Sequence, residues 1–361
     1  MSTIDRYLVA AFLRSYLLLL TVGCGLYILS DLLVNLDEFT DNRDLSFAGV
    51  LYAIADYYGH NLPLYFMQLG GPVLAFAGAY TVAMLLRNNE MTSLVAAGVP
   101  LQRLAVPILL CAAFLVGLWM INREFVLPNF AHMIARHRND VVGTRARGID
   151  FARDDNDAIL TARSINLRAG RLENVVIVEP RSHGSYVIQA DAAVHDPQRK
   201  TWRLDVGRRI VETAPTDVES GQFGVRYEPV SEYAFTLSPE ELVLRQSAQW
   251  AGLLSLRQMN ALLKSRNLPN LASVRMNRHI WLTQPLLQLL LLGLTLPFFL
   301  TREPISVLVA GGRALLLTGA FFGVAFCAHS MTASDHAALV AWIPLIMFGP
   351  VAVLHMANVR T

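Results

Sequence analysis

Six long apolar stretches divide the chain into two groups of three. A helix that crosses a membrane needs about 20 mostly apolar residues, and the sequence reaches this length six times. The stretches cover 13–35, 62–86, 101–122, 279–300, 306–329 and 337–357. The pattern therefore predicts an α-helical membrane protein with six transmembrane helices in a 3+3 arrangement.

Between the two groups, short runs alternate apolar and polar residues, as half-buried β-strands do. Turn signals such as Asp196-Pro197 separate these runs. The predicted strands cover 158–165, 173–179, 185–190, 201–206 and 223–229. Several short strands of this kind predict an inserted all-β domain with a jelly-roll-like fold.

These patterns divide the chain into three parts. Residues 1–124 hold transmembrane helices 1–3 and a cytoplasmic segment at 87–104. Residues 125–250 form the β domain, and residues 251–361 hold a connector followed by helices 4–6. The connector is predicted to include an amphipathic helix at 253–264, because leucines recur on one side of it.

Composition and charge agree with a membrane protein. Hydrophobic residues make up 54% of the chain, the mean hydropathy is +0.40, and more than half of the charged residues lie in 123–250. The net charge of +2 argues against a nucleic-acid partner. Short loops on one side carry Arg6, Arg14, Arg87 and Arg103, which predicts that both termini are cytoplasmic and that the β domain is extracytoplasmic.

The segment 87–104 has the features of a short cytoplasmic helix. Glu90 lies near its start, where the helix dipole favours a carboxylate, and Gly98 with Pro100 ends the run. Such a helix can dock into a groove of a partner protein, as permeases do with their ATPase. The predicted contact residues are Glu90, Met91, Leu94, Val95, Ala97 and Gly98. The alternative is an ordinary helical turn at the membrane surface.

Other polar and small residues suggest weaker hypotheses. Gly319 and Gly323, with Phe322 between them, have the spacing that permits close helix approach, either within the chain or at a gate between subunits. Asp56 and His60 would be the acid–base pair of a membrane-embedded enzyme, although a surface pair is the simpler interpretation. A non-transporting membrane scaffold is a further alternative. No catalytic residue set and no metal site is predicted.

Several short motifs resemble the lipopolysaccharide-export permeases, the YjgP/YjgQ or LptF/LptG type, and they occur in the order found there. They are Asp5-Arg6-Tyr7, the segment 87–104 with its Ala-Gly ending, 127–138, 201–204, 285–298 and 341–344. The resemblance extends over nearly the whole chain. It implies a non-enzymatic permease subunit of an ATP-binding-cassette exporter in the bacterial inner membrane. Such a subunit extracts lipopolysaccharide or a related glycolipid and passes it to a β-jellyroll bridge.

The resemblance also implies partners. These are a cytoplasmic ATPase dimer, a second permease of the same family, a periplasmic β-jellyroll protein and the lipid itself. The sequence contains no Gly-x-x-x-x-Gly-Lys-[Ser/Thr] loop, so ATP and Mg would be used by the partner ATPase and no cofactor is expected on this chain.

The lipid-binding residues are expected after the third helix. The outer end of the first helix is acidic, where one type of these permeases often carries lysines that can meet lipid phosphates. Positive charge occurs instead at Arg136, Arg138, Arg145 and Arg147. Because arginine can bind phosphate through two hydrogen bonds, Arg136, Arg138 and Arg145 are the candidate lipid-binding residues. The alternative is a solvated helix extension.

Overall fold

The structure, a computed structural model, contains six described helices that are long and apolar enough to cross a membrane. It describes residues 2–40, 46–134, 147–154, 156–167, 169–181, 184–199, 201–213, 224–246, 250–264, 271–301, 306–330 and 336–359. The helices are α1 (Thr3–Val34), α2 (Leu36–Thr40), α3 (Phe47–Arg87), α4 (Glu90–Ala96), α5 (Leu101–Ile121), α6 (Leu127–Ile134), α7 (Pro239–Gln246), α8 (Trp250–Leu253), α9 (Leu256–Lys264), α10 (Leu271–Thr295), α11 (Val307–Ser330) and α12 (Ala337–Ala357). The membrane helices are α1, α3, α5, α10, α11 and α12, which confirms the predicted 3+3 membrane architecture.

Helix α1 begins earlier than the apolar pattern predicts, at residue 3 rather than 13. Its start is fixed by a capping box. The Ser2 hydroxyl accepts a hydrogen bond from the Asp5 main-chain N–H at 3.2 Å, and the Asp5 carboxylate accepts one from the Ser2 N–H at 2.7 Å. These bonds satisfy donors that every helix start leaves open, so the polar first turns remain helical.

Helix α3 is much longer than the predicted span of 62–86, because it covers 41 residues. At 1.5 Å per residue it is about 60 Å long, whereas the hydrocarbon core of a bilayer is about 30 Å thick. Its first part is held by aromatic packing and by α1. The rings of Phe39 and Tyr57 lie 5.6 Å apart, and the Tyr58 hydroxyl donates a hydrogen bond to the Asp31 carboxylate at 2.8 Å.

The end of α5 continues through a π-helical turn, Asn122–Val126, into α6. Trp119 and Asn122 bond to α3, and Arg123 packs on Trp119. The Trp119 indole N–H and the Asn122 amide each donate to a main-chain carbonyl of α3, at 2.9 and 3.0 Å. The buried Arg123 guanidinium lies 5.3 Å from the Trp119 ring centroid. A π turn shifts the register of the residues after it, so the predicted end at residue 122 is a change of helix type, not a stop.

The two groups of membrane helices meet where α10 packs against α3. Two glycines of α3 make this close approach possible. A Cβ atom at Gly78 would lie 2.3 Å from Cδ1 of Leu292, and one at Gly71 would lie 2.8 Å from Cγ of Gln288. Leu292 is fully buried in the largest apolar cluster, which includes residues of both groups. Small residues at helix contacts are how membrane helices gain close packing.

The expected all-β insert is confirmed by eight antiparallel strands. They are β1 (Arg147–Arg153), β2 (Ile159–Asn166), β3 (Arg171–Arg181), β4 (Gly184–Asp196), β5 (Thr201–Asp205), β6 (Arg208–Thr213), β7 (Gly224–Pro229) and β8 (Glu232–Tyr233). Their order is β1-β2-β3-β4-β5-β8, and β6 pairs with both β4 and β7. The long strand β4 holds β6 along residues 187–189 and β5 along residues 192–196, so the sheet divides into two branches there.

The β domain has its own apolar core. Trp202 is fully buried, and its indole N–H donates to the Leu237 carbonyl at 3.1 Å. Leu242 and Val243 of α7 pack into the same cluster, so this helix covers the sheet. The domain therefore folds around a core separate from the membrane core, in agreement with the charge-rich composition of this part of the chain.

The predicted amphipathic connector is a helix, but it begins at Leu256 rather than 253. Ser255 caps it, since its hydroxyl accepts from the Gln258 N–H at 3.2 Å and the Gln258 amide oxygen accepts from the Ser255 N–H at 2.9 Å. The Glu124 carboxylate accepts the Leu256 N–H at 2.8 Å, and Met259 is fully buried. The connector is thus fixed to the end of the third membrane helix.

Candidate functional site

Helix α4 forms the short connection between the membrane helices α3 and α5, where the sequence predicts a docking helix. Asn89 precedes it with a φ of 58°, a left-handed conformation that asparagine tolerates better than most residues. Ala97 follows it, and Gly98 has a φ of 80°, which favours glycine. The left-handed residues Asn89 and Gly98 therefore separate α4, a helix of seven residues, from α3 and α5.

The first residue of α4 is tied to the start of the chain. The Tyr7 hydroxyl donates a hydrogen bond to Glu90 Oε2 at 2.8 Å, and the Asn88 amide lies 3.3 Å from Glu90 Oε1. Nearby, Asp5 Oδ1 lies 4.0 Å from an Arg103 guanidinium nitrogen. Sequence reasoning missed the role of Tyr7, although Asp5-Arg6-Tyr7 was one of the motifs that carried the resemblance.

The two faces of α4 differ. Met91 is 2% exposed, and Leu94 and Val95 pack half-buried against the membrane core of the same chain. Part of the apolar surface of Leu94 and Val95 is thus covered by the chain itself, and the contact of these residues with a partner stays a prediction. The outer face of α4 and the turn after it consist of exposed small residues, namely Thr92, Ser93, Ala96, Ala97 and Gly98.

The candidate lipid-binding residues Arg136, Arg138 and Arg145 lie outside the described residues, and Arg147 is the first residue of β1. Their predicted role stays a prediction.

The glycine pair of α11 lies on an open face of the helix. A Cβ atom at Gly319 or Gly323 would meet no atom of the chain within 4 Å, and Phe322 is 40% exposed. Close packing within this chain, one of the two interpretations of the spacing, therefore does not account for these glycines among the described residues. The face remains available to lipid or to another protein.

The residues of the alternative enzyme hypothesis form a simple pair. His60 Nδ1 lies 2.7 Å from the Asp56 main-chain oxygen and 3.3 Å from its carboxylate, one helical turn away. Both side chains are about one third exposed. Within the described part of the chain, no group of three His, Cys, Asp or Glu side chains could hold a metal ion.

Two groups of three membrane helices, a β domain inserted between them and a tethered helix at 90–96 together define a multi-pass membrane protein with an extramembrane domain. A family model described as "Lipopolysaccharide export system permease LptF/LptG" matches residues 6–357, nearly the whole chain. The chain therefore belongs to this family, and it is a permease of lipopolysaccharide export in the inner membrane. A search of curated proteins finds no matching relative.

Proposed function

We propose that this chain is one of two permeases of an ATP-binding-cassette exporter, and that a separate cytoplasmic ATPase dimer drives it through α4. The exporter would extract lipopolysaccharide or a related glycolipid from the inner membrane and pass it to a β-jellyroll bridge protein. The single observation that carries the proposal is the tethering of α4. Its outer face is exposed, while Met91 on its inner face and Glu90 at its start are fixed to the membrane helices.

This geometry suits energy coupling. A partner that moves α4 must also move α3 and α5, because short turns join α4 to both and Met91 is buried in the apolar cluster of the membrane helices. The Tyr7–Glu90 hydrogen bond adds α1 to the same unit. The small exposed side chains Thr92, Ala96 and Ala97 would let a groove of the ATPase approach the helix backbone closely. The Glu90 carboxylate would face a basic residue there.

The proposed orientation puts α4 and both termini in the cytoplasm and the β domain outside. The arginines at the α4 end of the membrane helices support it, since cytoplasmic loops carry the excess of Lys and Arg. In this orientation α4 lies on the side where ATP is available.

The second permease would contact the open face of α11. Gly319 and Gly323 have free space above them, and small residues in such a row permit close approach between membrane helices. Phe322, between them, would act as part of a gate. Helix α1 also presents large apolar side chains, such as Leu33 at 70% exposure, which suits either lipid or a partner helix.

The bridge protein would continue the sheet. Among the described strands, β1, β7 and β8 each pair with one other strand. The edge of a sheet is a template for strand addition by another chain, so these ends of the sheet suit an extracytoplasmic partner.

The coupling role of α4 is tested by charge reversal at Glu90. The Glu90→Arg variant should insert normally but lose ATPase association or coupled hydrolysis, because like charges across an interface cost several kcal/mol. Glu90→Gln removes the negative charge but keeps the size of the side chain, and its amide oxygen can still accept a hydrogen bond from the Tyr7 hydroxyl. Ala97→Arg obstructs the outer face without touching that hydrogen bond.

The measurements are co-purification of the ATPase and its lipid-stimulated turnover, with membrane insertion as the control. Glu90→Arg and Ala97→Arg should both fail to hold the ATPase. Wild-type co-purification and turnover in both variants would mean that α4 is not the coupling element.

A further inference from the structure

The end of α12 lies beside the corner of the chain where α4 leads into α5. The side-chain amide of Gln102, in the first turn of α5, donates a hydrogen bond to the main-chain carbonyl of Val359 at 3.3 Å. Val359 lies just after α12, is 6% exposed and belongs to the largest apolar cluster, as does Leu101 at the start of α5. This hydrogen bond therefore joins the first group of membrane helices to the second group.

The acceptor of this bond belongs to the main chain at a helix end. The Asn358 N–H donates to the Leu354 carbonyl at 3.0 Å, and the Val359 N–H donates to the Met356 carbonyl at 3.3 Å. The chain thus stays tightly wound up to Val359. A helix end leaves its last carbonyls without partners inside the helix, and the Gln102 amide supplies a donor to one carbonyl of this region.

The end of α12 is also fixed to the end of α10. The ring of His355, in the last turn of α12, lies 4.5 Å between centroids from the ring of Phe298, in the short 3-10 turn that follows α10. Leu300, which is 2% exposed, belongs to the same apolar cluster as Val359. A displacement of Val359 therefore reaches α10 as well as α12.

This contact matters because α4 is joined by short turns only to helices of the first group, α3 and α5. The second group meets α3 through packed side chains at Gly71 and Gly78. Packed helices can slide past each other by small shear movements, whereas a hydrogen bond between helices holds them together. The bond from Gln102 to Val359 is suited to make the second group follow the first.

We propose that Gln102 is a positioning residue through which a displacement of α4 reaches the second group of membrane helices, by its hydrogen bond to Val359. The inference rests on the proposed coupling role of α4 and adds a route of transmission to it. Docking of the ATPase and transmission of its movement are separate steps. Gln102 lies on α5, so its substitution should leave docking on α4 intact and weaken transmission.

The test uses the complete exporter in proteoliposomes that contain lipopolysaccharide. Lipid release and ATP hydrolysis are measured together, and co-purification of the ATPase is measured for each variant. Gln102→Leu removes the donor, and the lipid released per ATP should fall roughly two- to tenfold, the effect of losing one hydrogen bond.

Two isolating variants keep a polar side chain at this position. Gln102→Glu has the same size but cannot donate, and its negative charge is unfavourable at a helix C-terminus, so the ratio should fall at least as far. Gln102→Lys can donate to the carbonyl and places a positive charge there, so it should keep the wild-type ratio.

Arg103→Gln is the matched control at the neighbouring position. It removes an exposed ion pair with Asp5, in which the charged atoms lie 4.0 Å apart. Because exposed ion pairs contribute little, the lipid released per ATP should stay unchanged.

Hydrogen exchange of the purified permease tests the contact without the ATPase. The main-chain amides of Asn358 and Val359 should exchange faster in Gln102→Leu than in the wild type, and those of α9 should not change. An unaltered rate at Asn358 and Val359 would show that Gln102 does not hold the end of α12, which overturns the inference.

The transport results overturn the inference in three cases. These are a wild-type ratio in both Gln102→Leu and Gln102→Glu, a ratio in Gln102→Lys as low as in Gln102→Leu, and an equal loss in Arg103→Gln. Loss of the ATPase from Gln102→Leu also overturns it, because the residue would then act on docking. Retention of the ATPase by Glu90→Arg is a different result, since it contradicts the coupling role of α4 itself.

Discussion

Alanine in place of Gly78 would insert one methyl group into the contact between α3 and α10, where the two groups of membrane helices meet. The new Cβ would lie 2.3 Å from Cδ1 of Leu292 and 3.4 Å from Cδ2 of Leu296. Both leucines are fully buried, so neither side chain has free space into which to move. Overpacking of this kind costs about 1–3 kcal/mol, whereas alanine gains up to about 1 kcal/mol over glycine in a helix. The net expectation is a loss of about 1–2 kcal/mol.

Gly117 of α5 provides the matched control. A Cβ atom there would meet no other group within 4 Å, so Gly117→Ala should be neutral or slightly stabilising. Thermal unfolding of the purified protein in detergent compares the two variants. A third variant, Leu292→Ala in the Gly78→Ala background, removes the clashing side chain and should cost less than the sum of the two single changes.

Equal unfolding midpoints for Gly78→Ala and Gly117→Ala would refute the close contact of α3 with α10. Strict additivity in the double variant would refute the specific clash with Leu292.

Two further predictions concern the β domain and its connector. A cysteine at Gln198, an exposed turn position between β4 and β5, should react with a membrane-impermeant maleimide from the outer side; reaction from the cytoplasmic side alone would contradict the orientation. Glu124→Ala removes the acceptor of the Leu256 N–H and should destabilise the start of α9 by about 1 kcal/mol. Hydrogen exchange in α9 should then accelerate while α7 is unchanged, and an unaltered rate in α9 would show that Glu124 does not hold the connector.

The membrane helices could be predicted because a helix that crosses a membrane needs a long run of apolar residues. Such a run can be recognised from the sequence without knowledge of contacts between distant segments. The sixth helix shows this, since the predicted span of 337–357 matches α12. The first part of α3 could not be found this way. It lies beyond the apolar run and is held by packing of Tyr57 and Tyr58, which depends on Phe39 and Asp31 in other segments.

Three strands were not predicted, for a related reason. The five predicted strands correspond to β2, β3, β4, β5 and β7, but β1, β6 and the two-residue β8 were missed. Strands β1 and β6 both begin with arginine, and β1 ends with it too, so their composition hides the alternation. Their strand conformation comes from pairing with β2 and β4 rather than from local preference.

For the candidate docking helix, the sequence predicted where the helix lies in the chain but not which of its side chains face the membrane helices. The acidic start and the glycine at its end predicted α4, and both are present. Which side chains face inward depends on contacts with distant helices. Met91 is buried in the apolar cluster of the membrane helices, and Tyr7 reaches Glu90 from 83 positions away in the sequence.

The length of α3 has a mechanical consequence. Its last residue, Arg87, stands next to α4, and its first turn lies about 60 Å away. A continuous helix of that length acts as a lever arm. A tilt of about 5° at the α4 end displaces the far end by about 5 Å, a distance similar to one helical turn. Pro63 and Pro72 each remove a main-chain hydrogen bond from this arm. Helix α3 therefore bends most easily near these two prolines. The bending stiffness there determines how much of a small displacement of α3 at one membrane face is transmitted to the other face.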